Sequence, residues 1–394
     1  MHLRLIRRNH SRMDEIKGNP IRRIIMIITA LAAILVLLIA VVNNFMTGSR
    51  RYTGFSVTAR NEKKNNANVK FIKDGKYLAA YGSEGITAYD AAGNTVWSAG
   101  VSLEDPRAVC AGDFFVVADI GGRSFYIVDQ NGDPATPVEV STTADILEIS
   151  VSKNGRVAVL MQENDGHRIQ IIDPYAKNQV MAEIVTTKED GFALGIALSD
   201  DGSKLVTDYF KNKNSALITN LTFYNFSSTG ENVGADRIVG AFNYKDELFG
   251  ELTFTDNNTV VCVGDSSVRT FAFNHEPSLK WQKKINGKIE RTKADSKSIG
   301  FLISINSELH AAAFSIDKGD MLYDEKAGID VLGMELCNGE MTIYSGNRCR
   351  IFYPNGKIKY DGEGEENMVL VTRTHINDKY FVISGNHIDV IKFN

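Results

Sequence analysis

The hydrophobic pattern divides the chain into two unlike parts. Residues 24–42 form one apolar run of nineteen residues without a charge, which at about 1.5 Å per residue makes a helix of about 28 Å, nearly the thickness of a bilayer core. Beyond a polar stretch that ends near residue 68, apolar residues come in short runs bounded by turn residues, such as 77–80 and 114–117. These runs have the length and composition of β-strands. The sequence therefore predicts one transmembrane helix followed by a large all-β domain.

Tight polar turns recur through the all-β part. Asn, Asp and Gly are preferred in such turns because hairpin turns require positive φ. Eight turns follow one another at intervals of 38 residues or more, each just before a strand-like run: 74–75, 112–113, 154–155, 201–202, 257–258, 296–297, 338–339 and 377–378. Four-stranded repeats of about 40–45 residues are typical of β-propeller blades. We therefore expect a β-propeller of eight blades; the alternative is seven, if a unit near the long insert 211–225 is counted twice.

A second repeated element marks a later hairpin of each unit. Its pattern is Ala-x-Asp-x-x-Gly-x-x-x-Trp, and the same spacing returns once with Asn and Pro in place of Asp and Gly. The residues of the two copies are Asp90, Gly93, Trp97, Asn274, Pro277 and Trp281. Because the two kinds of turn alternate along the chain, each unit contains about four strands.

The last unit is one strand short. Residues 387–393 align with the third strand of the preceding unit, and the sequence ends there. We expect residues 55–58 to supply the missing strand, which closes the ring and protects an open sheet edge. The predicted organisation is a basic tail at 1–23, a transmembrane helix at 24–42, a linker at 43–54 and a propeller at 55–394.

The repeated Trp element resembles the tryptophan-docking repeat of quinoprotein-like (PQQ-repeat) propellers, although it is one residue shorter here. The layout of basic tail, helix and propeller is similar to an uncharacterised family of Gram-positive bacterial membrane proteins, a domain of unknown function. Quinoprotein-like propellers include dehydrogenases that bind pyrroloquinoline quinone and calcium, and scaffolds such as the propeller lipoprotein of the outer-membrane barrel-assembly machinery. The chain lacks the vicinal cysteine pair of the dehydrogenases. The resemblance therefore implies a scaffold without a cofactor.

The distribution of charge predicts the orientation of the helix. Seven Lys and Arg residues precede it, and three, Arg50, Arg51 and Arg60, follow within about twenty residues. Because positive flanks stay in the cytoplasm, the N-terminus is expected inside and the propeller outside. The net charge is −4 despite the basic tail, so the body is acidic and has no basic stripe. This excludes nucleic acid as a partner, because phosphate binding requires clustered Lys and Arg.

Motifs of catalysis and metal binding are missing from the sequence. It contains no P-loop, zinc helix or nucleophile elbow, and its four cysteines have no Cys-x-x-Cys spacing, so we expect buried free thiols. The segment Asp129-x-Asn131-x-Asp133 begins like a calcium loop, but Pro134 stands where glycine is needed and Val140 where glutamate is needed. His310, His375 and His387 are interpreted as surface residues. No catalytic residue, metal site or cofactor is predicted.

One pattern suggests a ligand site. Counting back six residues from the first turn of three units gives Glu148, Glu251 and Glu290. Propeller symmetry would place these carboxylates at one height near the axis, with Arg373 of the last unit close by. Such a funnel would bind a cation or a basic peptide. The alternative is that they are solvated residues at the mouth of the channel.

Three functions are consistent with these predictions. The first is an extracytoplasmic scaffold, fixed in the cell membrane by one helix, that binds a protein or another ligand of the cell envelope. The second is a surface enzyme, such as a quinone-dependent oxidoreductase, lyase or glycosidase, that uses the funnel carboxylates. The third is a single-pass sensor. A linker of about a dozen residues reaches at most ~40 Å, which favours membrane-bound partners.

Overall fold

The computed structural model describes residues 25–36, 49–63, 69–176, 179–213 and 216–394. Residues 25–36 form a helix, α1, within a unit that spans Met1–Arg50. The predicted basic tail 1–23, the remainder of the predicted transmembrane segment and part of the linker lie outside the described residues. Within those ranges, no helix has both the length and the apolar character needed to span a bilayer.

The second unit, Arg51–Asn394, is a ring of eight four-stranded antiparallel sheets. The all-β class and the count of eight blades rather than seven are thereby confirmed. The strands of blades 1 to 4 are β2 (Lys70–Asp74), β3 (Tyr77–Tyr81), β4 (Gly85–Tyr89), β5 (Thr95–Gly100); β6 (Pro106–Ala111), β7 (Phe114–Asp119), β8 (Ser124–Asp129), β9 (Val138–Ser141); β10 (Asp145–Val151), β11 (Val157–Glu163), β12 (Gly166–Ile172), β13 (Val180–Thr187); β14 (Phe192–Leu198), β15 (Lys204–Lys213), β16 (Ala216–Asn225) and β17 (Ile238–Lys245).

The strands of blades 5 to 8 follow the same order, and a short helix, α2 (Ser228–Val233), precedes β17 in blade 4. They are β18 (Phe249–Phe254), β19 (Thr259–Gly264), β20 (Ser267–Phe273), β21 (Pro277–Lys284); β22 (Lys288–Ala294), β23 (Ser298–Ile305), β24 (Glu308–Ser315), β25 (Met321–Lys326); β26 (Gly333–Cys337), β27 (Glu340–Tyr344), β28 (Arg348–Phe352), β29 (Ile358–Glu363); β30 (Leu370–Arg373), β31 (Lys379–Ile383), β32 (His387–Phe393) and β1 (Phe55–Glu62).

Both kinds of repeated turn have a fixed place in the blades. The eight polar turns connect the first strand of a blade to the second, and several require positive φ, for example Gly155 at +83° and Asp378 at +58°. The second element connects the third strand to the fourth. There the Asp90 carboxylate accepts hydrogen bonds from the backbone amides of Ala92 and Asn94, both at 2.8 Å. Asx residues stabilise turns in this way.

The hydrophobic core lies between the blades. Second strands are buried on both faces, as in β7, where four consecutive residues have no exposed surface. The two tryptophans dock on the following blade: Trp97 meets the ring of Phe115 edge-on, and the indole nitrogen of Trp281 donates to the carbonyl of Ile316 at 2.8 Å. Each blade thus covers the apolar face of the next.

Strand β1 completes blade 8 on the outer side of β32. The two strands pair antiparallel from Phe55 opposite Phe393 to Glu62 opposite His387. Residues 55–58 were predicted here from the sequence, and the strand extends four residues further. Just before it, Tyr52 forms a bridge with Tyr360 in the outer strand of blade 7. The N-terminal segment therefore connects blades 7 and 8.

The first strands of neighbouring blades contact one another around the ring, as β10 does with β14 and β14 with β18. They therefore line the central channel. In blades 3 to 6 this strand has a β-bulge at the same place, at residues 146/148, 193/195, 249/251 and 289/291. A bulge adds a residue and re-aims the side chains beyond it.

Candidate functional site

The bulges define one level of the channel in four consecutive blades. At this level the first residue past each bulge pairs with the second strand of its own blade. The pairs are Glu148 with Leu160, Gly195 with Asp208, Glu251 with Val263, and Arg291 with Leu302. Two of the predicted site residues, Glu148 and Glu251, therefore occupy equivalent positions, and the blade between them has a glycine there.

Glu290 is not equivalent to these two residues. It is the extra residue of the bulge in β22, and Arg291 takes the place that corresponds to Glu148. The reason is the turn: four residues separate the last pair of β22 and β23, whereas five separate the last pair of β10 and β11. Counting back six residues from the turn of blade 6 therefore reaches Glu290, one residue before Arg291, which is the true counterpart of Glu148. The Glu290 carboxylate is instead paired with Lys288 of its own strand at 2.9 Å.

Arg373 lies at a different level. It pairs with Tyr380 at the end of β30 next to the turn. The other end of the strand, at Leu370, is three residues away. Its guanidinium lies 3.7 Å from the Glu340 carboxylate of blade 7 and donates to the side chain of Asn377 at 2.8 Å. The structure thus places it at the seam between blades 7 and 8 rather than beside the channel carboxylates.

Asp208, which the sequence analysis missed, is the third carboxyl group of the channel level. It lies in β15 opposite Gly195 and has no exposed surface. A Cβ added at Gly195 would lie 3.4 Å from Oδ1 of Asp208 and 3.7 Å from Oε2 of Glu148. The absence of a side chain at Gly195 therefore lets carboxyl groups from two blades converge. The available signal was an aspartate inside a buried strand, opposite a glycine.

None of the three carboxyl groups has an ordinary partner among the described residues. Glu148 and Glu251 form no hydrogen bond or ion pair there, and neither oxygen of Asp208 accepts a hydrogen bond of ordinary geometry. Burial raises the pKa of each to about 7. For Asp208 the backbone amides of Gly195 and of Asp208 itself offset part of this effect, and the nearby Glu148 adds to it.

Two cations flank the carboxyl groups. Arg107 of blade 2 partly opposes the rise in the pKa of Glu148, and Lys293 of blade 6 does the same for Glu251. The Lys293 ammonium is itself 3.3 Å from the Glu335 carboxylate of blade 7. Arg291 of blade 6 adds a third cation at the channel level. Near Gly195, where Asp208 and Glu148 converge, ionisation of both carboxyl groups would favour an incoming positive charge.

The other candidate residues are accounted for by local structure. Asp129 accepts from the amides of Asn131 and Gly132 in a turn, and His310 contacts Asp324 at 2.8 Å. All four cysteines are free, but two of them, Cys110 and Cys337, are only half-buried. Within the ranges that the structure describes, no three His, Cys, Asp or Glu side chains are placed to hold a metal ion.

Known proteins with a similar structure agree with the assignment of a β-propeller fold. The model of one protein family, described as a family of unknown function, matches residues 48–393. No curated protein sequence matches. Similar solved structures include BamB from Moraxella catarrhalis (11% identity, 86% of this chain and 100% of that chain, TM-score 0.52) and Saccharomyces cerevisiae Sqt1 (9%, 88%, 100%, 0.58). A eukaryotic initiation factor is similar as well, with 10% identity over 86% of this chain and 87% of that chain and a TM-score of 0.54. At such identities the likeness shows the fold alone.

Proposed function

We propose that this chain, which belongs to the family of unknown function DUF5711, is a membrane-anchored binding module. In this proposal the propeller lies outside the cytoplasm and takes a positively charged ligand of the cell envelope in its central channel. The observation that carries the proposal is the set of three carboxyl groups, Glu148, Asp208 and Glu251, at one level of the channel without partners among the described residues.

The energetics of burial support a ligand in the channel. A buried ionised carboxylate without a partner is strongly unfavourable, and proteins therefore pair such groups or keep them protonated. Glu148, Asp208 and Glu251 come from three consecutive blades, so no local turn or helix cap explains why three carboxyl groups without partners in the described part of the chain lie at this level. A cationic group over Gly195 would lie beside both Asp208 and Glu148. Arg107 of blade 2 and Lys293 of blade 6 interact electrostatically with Glu148 and Glu251, respectively.

The anchor and orientation rest on the sequence. The apolar run 24–42 and the seven Lys and Arg residues before it support a single helix with the N-terminus inside. Labelling with a membrane-impermeant maleimide tests this part. We expect a chain with the exposed Tyr175→Cys substitution to react in intact cells and the unsubstituted chain to react much less. Labelling that requires lysis would contradict the orientation.

Partner capture tests the binding role. We expect crosslinking in the native membrane to recover a specific partner with the wild-type chain, and recovery to fall at least tenfold with the Glu148→Gln/Glu251→Gln variant. Glu290→Gln is the matched control, because this glutamate lies in the same ring of strands but outside the level of the three carboxyl groups. Equal recovery with both variants would contradict a role for the channel.

A second candidate function is an enzyme of the cell surface. It is favoured by one observation: Glu148 and Asp208 have pKa values of about 7, so both groups can hold or release a proton at neutral pH. A chromophore or a metal present in stoichiometric amount in the purified chain would favour this function over the binding module.

A further inference from the structure

We propose that the surface over Gly195 is a recognition site for a primary ammonium group at the end of an aliphatic chain, with Asp208 and Glu148 as its two anionic ligands. This inference rests on the proposed binding function and names the chemical class of the ligand. Lysine side chains and polyamines both present such a group.

The convergence of two carboxyl groups on a glycine provides the first argument. Asp208 reaches the channel level from the second strand of blade 4, and Glu148 reaches it from the first strand of blade 3. Both have an oxygen within 4 Å of the position that a Cβ of Gly195 would take. Asp208 has no exposed surface, yet its oxygens have no hydrogen-bond partner of ordinary geometry among the described residues. A fully buried carboxyl group of this kind is stabilised either by a proton or by a partner from outside.

The shape and chemistry of the surroundings select the ligand. Cδ1 of Leu252, from blade 5, lies 3.9 Å from the same Cβ position, so one apolar side chain stands beside the two carboxyl groups. The methylene groups of a ligand can pack on this side chain while the charged end of the ligand reaches the carboxylates. The three donors of an ammonium group can bridge two carboxylates on different strands, whereas the planar guanidinium favours one carboxylate in a bidentate pair. In the described part of the chain, the donors needed for a metal ion do not converge.

Proton release accompanies this binding. The pKa values of Asp208 and Glu148 are about 7 because both groups are buried, so each is partly protonated at neutral pH. A bound ammonium lowers both values, and the protons leave to solvent. The other titratable groups that face Asp208 are Tyr209 and Cys262, whose pKa values are raised by burial, so they stay neutral. Arg107 interacts electrostatically with Glu148 and lowers its pKa by less than burial raises it.

Calorimetric titration of the full-length chain in a mild detergent tests the inference. Spermidine and a tetralysine peptide are the probes, and their relative affinities distinguish a free polyamine from a peptide as the source of the ammonium. In buffers of different ionisation enthalpy at pH 7, we expect binding with release of up to about one proton, and release close to zero at pH 9.

Three variants complete the experiment. Asp208→Asn removes one anionic ligand, and Gly195→Ala fills the gap while both carboxyl groups stay, so we expect each to weaken binding of the better probe at least tenfold. Glu290→Gln should change it less than twofold. Thermal unfolding of every variant shows that it is folded; if Asp208→Asn does not fold, Gly195→Ala alone decides.

The outcomes that overturn the inference are distinct from those that overturn the proposed function. Binding of neither probe to the wild type, equal affinity in Gly195→Ala, or no dependence on buffer would refute the ammonium site. Displacement of either probe by Mg²⁺ or Ca²⁺ at a similar concentration would assign the site to a metal instead. Loss of the ammonium site with partner capture still dependent on Glu148 and Glu251 would leave the binding function intact.

Discussion

The seam between blades 7 and 8 and the channel level of blades 3 to 5 both bury ionisable groups, but only the seam satisfies them. At the seam the Lys359 ammonium lies 2.9 Å from the carboxylates of Glu340 and Asp378 and from the hydroxyl of Tyr380. Tyr52 donates to Asp378 at 2.8 Å. In the channel, Asp208 is equally buried and has no such partner within the described part of the chain.

Buried charges at the seam have a structural role, whereas the buried carboxyl groups of the channel have, in our proposal, a functional one. Removing one member of a buried ion pair leaves an uncompensated charge, so each member of the seam holds the others in place. The channel carboxyl groups depend on a proton or an incoming cation instead. We therefore expect mutations at the seam to lower stability and mutations in the channel to change its dependence on pH and ligand.

Removal of the N-terminal segment should have the largest effect. A chain that begins at Lys70 lacks β1 and the Tyr52 side chain, so it exposes the edge of β32 and uncovers Lys359. Compared with a chain that begins at residue 50, we expect a loss of at least ~5 kcal/mol in the free energy of unfolding, or failure to fold. Denaturant unfolding of both chains measures this. Equal stability would show that the seam does not need the segment.

Breaking the ion pair at the seam should have the next largest effect. Glu340→Gln removes the buried counter-charge of Lys359 and leaves only the partly exposed Asp378, and we expect a loss of about 3–5 kcal/mol in denaturant unfolding. The double variant Glu340→Leu/Lys359→Met removes both charges and should recover most of this loss. If the double variant is as unstable as the single one, packing rather than charge explains the seam.

The pH dependence of stability should reveal the channel. Burial raises the pKa of Asp208 from 3.8 to about 7, so the native state binds the proton more tightly than the unfolded state. Its contribution to stability is complete below the unfolded pKa and is lost as the pH rises through 7. This single group accounts for a fall on the order of 3–4 kcal/mol between pH 4 and pH 8.

Asp208→Asn provides the check on this pH dependence. We expect the unfolding free energy of the variant to fall less steeply with pH than that of the wild type, whereas Glu290→Gln should keep the wild-type slope. An unchanged slope in Asp208→Asn would show that Asp208 does not titrate near neutrality.

The smallest effect is expected at Glu290. Its carboxylate and the Lys288 ammonium form an exposed ion pair, and exposed pairs contribute little because water screens them. We expect Glu290→Gln to change the free energy of unfolding by less than about 0.5 kcal/mol. A larger change would mean that the bulge of β22 depends on this charge.

The repeat and the blade count were predictable because they depend on local chemistry. The polar turn between the first and second strand recurs once per blade and has a positive φ in six of the eight blades, and Asn154-Gly155 or Asn338-Gly339 identify such turns without knowledge of the fold. The bulges were not predictable, because an extra residue in one strand is visible only in its pairing with another. Hence Glu148 and Glu251 were placed together, and Glu290 was placed one residue away from its counterpart.

Asp208 and Arg373 show that contacts between blades could not be predicted from the sequence. The proximity of Asp208 to Glu148 comes from the packing of two blades and the missing side chain at Gly195, which a repeat alignment does not encode. Arg373 was assigned to the funnel by its position in the last unit, but its partner Glu340 belongs to blade 7. Contacts between blades therefore decide the role of a charged residue in this protein.

The pairing of β1 with β32 has a consequence for how the protein is made. Its hydrogen bonds join residues more than 300 positions apart, as between Thr58 and Val390. During synthesis the first strand must wait unpaired until the last strand has left the ribosome, so the ring closes last. Such non-local pairing is slow and leaves an open edge exposed to other chains in the meantime. Early hydrogen-exchange labelling during refolding should find the β1 amides among the last to be protected.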